Sequence, residues 1–204
     1  MPPEDRFVCR FAAEPPQDGA PYGRWAERLR EEFLAAVAAI DPGEQELGEP
    51  GEPVWYPDRT WAGRTYVPVT APTSTALELF GYVSFAPGDA ESEPSDFFTT
   101  ADFTDETAER NPDWRLDLCE EVVGGWRGEG ANVAAMTLVW GRPLVPDGVV
   151  VTGELANLAV DQCAVADGRF TLLAPDAYRN DYLDVKLFDR KGNQIASESL
   201  YDED

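Results

Sequence analysis

Glu78 lies between Leu77 and Leu79, Asp117 lies between Leu116 and Leu118, and Glu120 follows Cys119. A carboxyl with apolar neighbours suits acid–base chemistry, because partial burial separates its pKa from that of a second carboxyl. Two such groups are enough to hydrolyse a glycosidic bond. In an alternating strand, however, these positions read more simply as the solvent face. They are weak catalytic candidates, and carboxylates are too common here to discriminate.

A second set of residues suits recognition rather than catalysis. Trp61 is flanked by Arg59 and Arg64, and Trp126 is followed by Arg127, each pair near glycines that mark loops. Exposed tryptophans beside arginines offer stacking area at low entropic cost, as sugar or peptide binding requires. Asp102, Asp105, Glu106, Glu109 and Asp113 belong to a longer acidic stretch, residues 89–121. It holds twelve carboxylates against Arg110 and Arg115, a net charge of -10. Oxygen-rich segments of this kind attract divalent cations such as calcium, though only weakly. Asp102 to Asp113 lacks the central glycine and alternating ligands of an EF-hand loop. No resident metal or cofactor is expected.

Composition excludes several classes outright. The chain has no histidine in 204 residues, so Ser-His-Asp and Cys-His catalysis and histidine-ligated metal sites are impossible. Asp and Glu number 39 against 16 Lys and Arg, a net charge of -23, which opposes direct nucleic-acid binding and docking on anionic membranes. Gly124 to Gly130 is glycine-rich but lacks the spacing and positive field of a phosphate loop. Cys9, Cys119 and Cys163 are widely separated and odd in number, which favours reduced thiols. The first residues lack a signal-peptide pattern, and no apolar run approaches the length of a membrane span. A cytoplasmic protein is expected.

The elements that must carry these residues follow from periodicity. Tyr22, Trp25, Leu29, Phe33, Val37 and Ile40 recur at three or four residues, predicting an amphipathic helix over 20–40. Asp41-Pro42-Gly43 stops it and opens a mobile acidic loop over 41–53. Arg6 to Ala12 alternates as a strand, and strands are expected at 54–56, 65–70, 76–85 and 136–140. Pro68 implies an edge or a bulge, and Gly81 a bend or a tight hairpin. Asn111-Pro112-Asp113 has helix-start chemistry and Gly124-Gly125 would stop a helix, so a short helix is favoured between them. Short strands follow at 149–152, 155–160, 170–173 and 183–188. Asp189 to Asn193 then turns into a return strand from Ile195.

The predicted fold is α+β, mainly antiparallel β, with a sandwich-like C-terminal half and one amphipathic N-terminal helix packed on a sheet. Residues 1–140 form the α+β region and 141–204 the sandwich-like region, packed together as one unit. Ala76 to Pro87 faintly echoes Ala135 to Pro146, which similar hairpins can produce without duplication. Functionally, a non-enzymatic protein presenting a carboxylate-rich surface to a basic protein partner is favoured. The alternative is a carboxylate-based enzyme or ligand-binding protein with an aromatic-lined, β-walled pocket, carbohydrate being a ligand class that would suit it. A third reading makes the acidity an adaptation to solubility or salt.

Overall fold

Phe33 has none of its surface exposed, Leu29 1% and Val37 5%, so the predicted stripe is the buried face of helix α1, Ala26–Val37. In the computed structural model, which describes residues 25–88, 93–127 and 132–201, the chain divides into two compact units. The change of unit falls between Pro112 and Asp113. The predicted strand at 6–12 and the first turn of the predicted helix lie outside the described residues. The fold is α+β and mainly antiparallel β, as expected.

The first unit builds a sheet from β1 (Val54–Trp55), β2 (Arg59–Trp61), β3 (Arg64–Pro72), β4 (Glu78–Ala86) and β5 (Ser95–Thr104). Its order is β1-β3-β4-β5, with β2 also on β3. Helix α1 packs on one face, where Leu29, Phe33 and Val37 meet Val67, Val69, Ala71, Leu79 and Val83. No side chain caps the helix N-terminus, so apolar burial is what holds these three turns in place.

Pro68 corrects an expectation. It has strand neighbours on both sides, and the β3–β4 pairing passes Pro68↔Tyr82 without a register shift. The Tyr56 N–H donates to the Pro68 carbonyl at 3.0 Å. In a strand, one residue's N–H and C=O point to the same side, so the missing donor faces the join between β1 and β2. A central strand therefore tolerates proline here.

The second unit contains β6 (Leu116–Arg127), β7 (Val133–Pro143), β8 (Val150–Leu155), β9 (Leu158–Ala164), β10 (Phe170–Asp176), β11 (Leu183–Phe188) and β12 (Gln194–Ser199). Two sheets, β10-β7-β6 and β12-β11-β8-β9, share one core. Val139, Phe170, Leu172 and Ala174 from the first meet Val151, Cys163, Val185 and Leu187 from the second. This is a sandwich, and it begins upstream of residue 141 because β6 and β7 supply part of one layer. Asp161, 1% exposed on β9, accepts the Leu173 N–H of β10 at 2.8 Å and so joins the two sheets at their edges.

Two further expectations change. The short helix favoured after Asn111 is the strand β6, because Leu116, Leu118 and their neighbours pair with β7 from Leu116↔Pro143 to Arg127↔Val133. Gly124 adjoins a bulge in that ladder instead of stopping a helix. The strand expected at 155–160 is broken by a two-residue turn at Ala156 and Asn157, with φ of 51° and 63°. Two consecutive left-handed residues match the twist of a tight hairpin, and asparagine tolerates that conformation. The hairpin around Asp189–Asn193 forms as predicted.

Gly81 and Gly141, the glycines of the faint internal echo, meet the same demand. A Cβ on Gly81 would lie 2.1 Å from the Thr100 carbonyl oxygen, and one on Gly141 2.1 Å from that of Asp117. Close backbone approach across a ladder requires glycine at both places, so the echo needs no duplication.

Candidate functional site

Gly48 is where the acidic loop becomes fixed. Its φ is +73°, and a Cβ there would lie 2.6 Å from the Ser74 Oγ, so only glycine fits. On either side, the loop is bonded to the turn between β3 and β4. The Glu49 N–H donates to the Ser74 Oγ at 2.9 Å, and the Ser74 N–H donates to the Glu49 carbonyl at 3.0 Å. The Gly51 N–H donates to the Pro72 carbonyl at 2.7 Å, and the Thr75 hydroxyl to the Leu47 carbonyl at 2.9 Å. The expectation of a mobile loop over 41–53 is corrected for residues 47–51, which this turn holds. Hydrogen bonds to a turn hold the segment in place of apolar burial.

The same end of the sheet receives the second acidic segment. Glu78 opens β4 opposite Pro72 on one side and Thr104 on the other. The β3–β4 turn and the exit of β5 consequently lie at one end. Asp105, Glu106 and Glu109 follow that exit, and Asp102 is two residues before it. The Thr104 hydroxyl accepts the Glu106 N–H at 3.0 Å, and Arg110 bonds the Asp105 carboxylate and carbonyl at 2.9 Å. Exposed Glu49, and Glu52 with its Arg30 partner at 3.6 Å, thus share a sheet end with Asp102, Asp105, Glu106 and Glu109, and exposed Glu44 and Glu46 precede them in the chain. Glu78 stands between them, half-buried.

The other predicted residues have separate positions. Arg64 bonds the Asp96 carboxylate and carbonyl and reaches the Ser84 Oγ at 3.2 Å, so its charge is used within the sheet. Trp61 pairs with it across a two-residue turn. Trp126 packs edge-on against Tyr178 with ring centroids 5.6 Å apart, and Arg127 is exposed. Trp126, Arg127 and Asp113 belong to the second unit, whereas Trp61 and Arg64 belong to the first. Asp117 is buried and accepts from the Arg142 Nε at 2.7 Å. Glu120 is exposed, and three residues along a strand put it on the opposite face from Asp117.

Sequence reading missed Glu44, Glu46, Glu49 and Glu52 as site residues, although it placed them in an acidic loop. No spacing rule pairs residue 49 with residue 74. Among the described residues, no group of three or more His, Cys, Asp or Glu side chains is arranged to hold a metal ion. No helix among them is long and apolar enough to cross a membrane. Cys119 is partly exposed and Cys163 is buried.

Asp189 is held below the usual carboxylate range, first by the Asn193 side chain and then by the Asn193 and Lys191 backbone amides, all within its exposed hairpin. Tyr66 is raised above its ordinary 10.0 because burial disfavours the phenolate, an effect that Arg64 partly offsets. The folded state therefore keeps the Tyr66 proton longer than the unfolded chain does. Its contribution is intact below about pH 10 and is lost as pH rises through the folded value. Tyr66→Phe is expected to flatten the alkaline loss of stability. Parallel urea-melt profiles for the two proteins between about pH 9 and 11 would contradict this.

Family models, curated proteins and solved structures give no match to this chain. Function is therefore argued from the arrangement itself.

Proposed function

We propose that this protein is a non-enzymatic interaction protein whose acidic sheet end, built from residues 44–52 and 102–109, docks a basic protein partner. One observation supports this reading above the rest: two acidic segments about fifty residues apart are fastened to the same end of one sheet. Charge needed only for solubility has no reason to be gathered in this way. A concentrated field of one sign speeds encounter with an opposite surface by about 10–10³-fold, and the gain falls as salt rises.

Catalysis by paired carboxylates draws no comparable support. Asp117 is engaged by Arg142, Glu120 is on the other face of its strand, and Glu78 belongs to a different unit.

The test compares two variants of equal charge. Glu44, Glu46, Glu49 and Glu106 become Gln in one, and Asp147, Asp167, Asp181 and Glu198 become amides in the other. These last four are exposed in the second unit. With an oligo-arginine peptide as probe, the first variant is expected to bind about tenfold more weakly at low salt, and the second nearly as well as the parent. Equal losses would assign the effect to net charge and sink the proposal, as would binding indifferent to salt.

A further inference from the structure

Ala177, Arg179 and Asn180, in the loop between β10 and β11, hold left-handed backbone with φ of 52°, 56° and 67°. Arg179 and Asn180 form the centre of a two-residue turn. Tyr178 and Asp181 flank it, each donating its N–H to the other's carbonyl at 3.0 Å. The Asp176 carboxylate accepts the Leu183 N–H at 2.7 Å and closes the base of the loop. Left-handed backbone is unfavourable for alanine and arginine, and such strain gathers where a fixed shape is used.

The loop is polar at its tip. The Arg179, Asn180 and Asp181 side chains are exposed, and none of them hydrogen-bonds or ion-pairs with another described residue. The Arg179 guanidinium lies over the Tyr178 ring, 5.2 Å from its centroid, while Tyr178 packs on Trp126 and on the core of its unit. Directly after the tip, Tyr182 meets Tyr201 with ring centroids 4.7 Å apart and planes tilted by 58°. The Leu200 N–H donates to the Leu183 carbonyl at 3.0 Å, and this bond sets Tyr201 beside Tyr182. The two tyrosines keep 38% and 50% of their surface in solvent.

Open rings beside a free guanidinium, amide and carboxylate have the chemistry of a sugar receptor. Rings pack against the C–H face of a pyranose, and each planar polar group can bond two neighbouring hydroxyls. Charge narrows the class. Arg179, Asn180 and Asp181 are positive, neutral and negative, so the tip cancels, whereas the whole chain carries -23. A field of that sign repels anionic ligands and draws cationic ones to the carboxylate-rich segments, which leaves a neutral ligand for a neutral tip. We propose that Arg179, Asn180, Asp181, Tyr182 and Tyr201 form a binding site for a neutral carbohydrate. It shares no residue with the acidic sheet end of the first unit, and each stands or falls without the other.

The test uses the full chain and saturation-transfer NMR with neutral tetrasaccharides of glucose, mannose, galactose and N-acetylglucosamine. A sulfated tetrasaccharide is the anionic comparison. At least one neutral sugar is expected to receive saturation, with no dependence on salt. Tyr201→Ala is expected to weaken its binding about tenfold and Tyr201→Phe less than about twofold, because stacking needs the ring and not the hydroxyl. Asn180→Gly keeps the left-handed backbone, removes the amide and is expected to cost about threefold or more. Phe98→Ala removes a ring that is 55% exposed in the first unit and should change nothing. Each substitution is at an exposed position, so the fold is kept. Absence of saturation in every neutral sugar overturns the site, as does preference for the sulfated one. Equal losses in Tyr201→Ala and Phe98→Ala would assign the signal to unspecific stacking and overturn it too.

Discussion

Phe33→Ala is expected to destabilise the first unit by about 3–5 kcal/mol, among the largest effects of any single substitution in this chain. Phe33 is fully buried and meets Trp55 edge-on at 6.4 Å between ring centroids. It is the middle residue of the Leu29, Phe33, Val37 stripe that seats α1 on β3, β4 and β5. Helices of twelve residues are marginal in water, and this one has no side-chain cap. Removing the ring therefore leaves a cavity and weakens the only strong reason for these residues to be helical. Urea unfolding followed by helical circular dichroism measures the loss, and Phe33→Leu should recover much of it. A change below about 1 kcal/mol for the alanine variant would show that the helix is held by something other than this stripe.

Lys186→Met is expected to cost the second unit about 3 kcal/mol, and adding Glu154→Leu should restore most of it. The Lys186 Nζ lies 2.7 Å from the Glu154 carboxylate, with Asp184 at 3.7 Å. Only 15% of the lysine side chain and 12% of the glutamate side chain is exposed. The Thr152 hydroxyl donates to the other Glu154 oxygen at 3.2 Å. Taking away the ammonium leaves a carboxylate poorly solvated and beside a second acid, so the cost exceeds the worth of the pair. Replacing both partners with apolar groups removes the stranded charge. A double-mutant cycle on denaturant midpoints separates these effects. Additive losses in the double variant would mean that the two residues act independently.

These predictions draw on parts of the fold that differ in how far the sequence revealed them. The α1 stripe was legible because period 3.6 is written in six apolar residues and nothing long-range competes with it. The 183–199 hairpin was legible for a similar reason: Asp189 satisfies Lys191 and Asn193 within five residues. Residues 111–124 misled because helix-start chemistry at Asn111-Pro112-Asp113 is local, whereas the strand is decided by β7, whose partners for this stretch run from Met136, opposite Gly124, to Pro143, opposite Leu116. The break at Ala156-Asn157 was missed because the flanking apolar run continues through it. Glu78, Asp117 and Glu120 looked equivalent in sequence, yet one is half-buried, one is ion-paired in the interior and one is exposed.

The sequence alone determined the sign and size of the charge, -23. It also determined which chemistries are impossible without histidine. Tertiary structure decided that residues 47–51 of the acidic loop are bonded to the turn at 72–75 and that β5 ends at the same end of the sheet. The difference has a physical basis. Charge and periodicity are properties of residues and near neighbours, whereas register is set by which distant backbone groups satisfy one another.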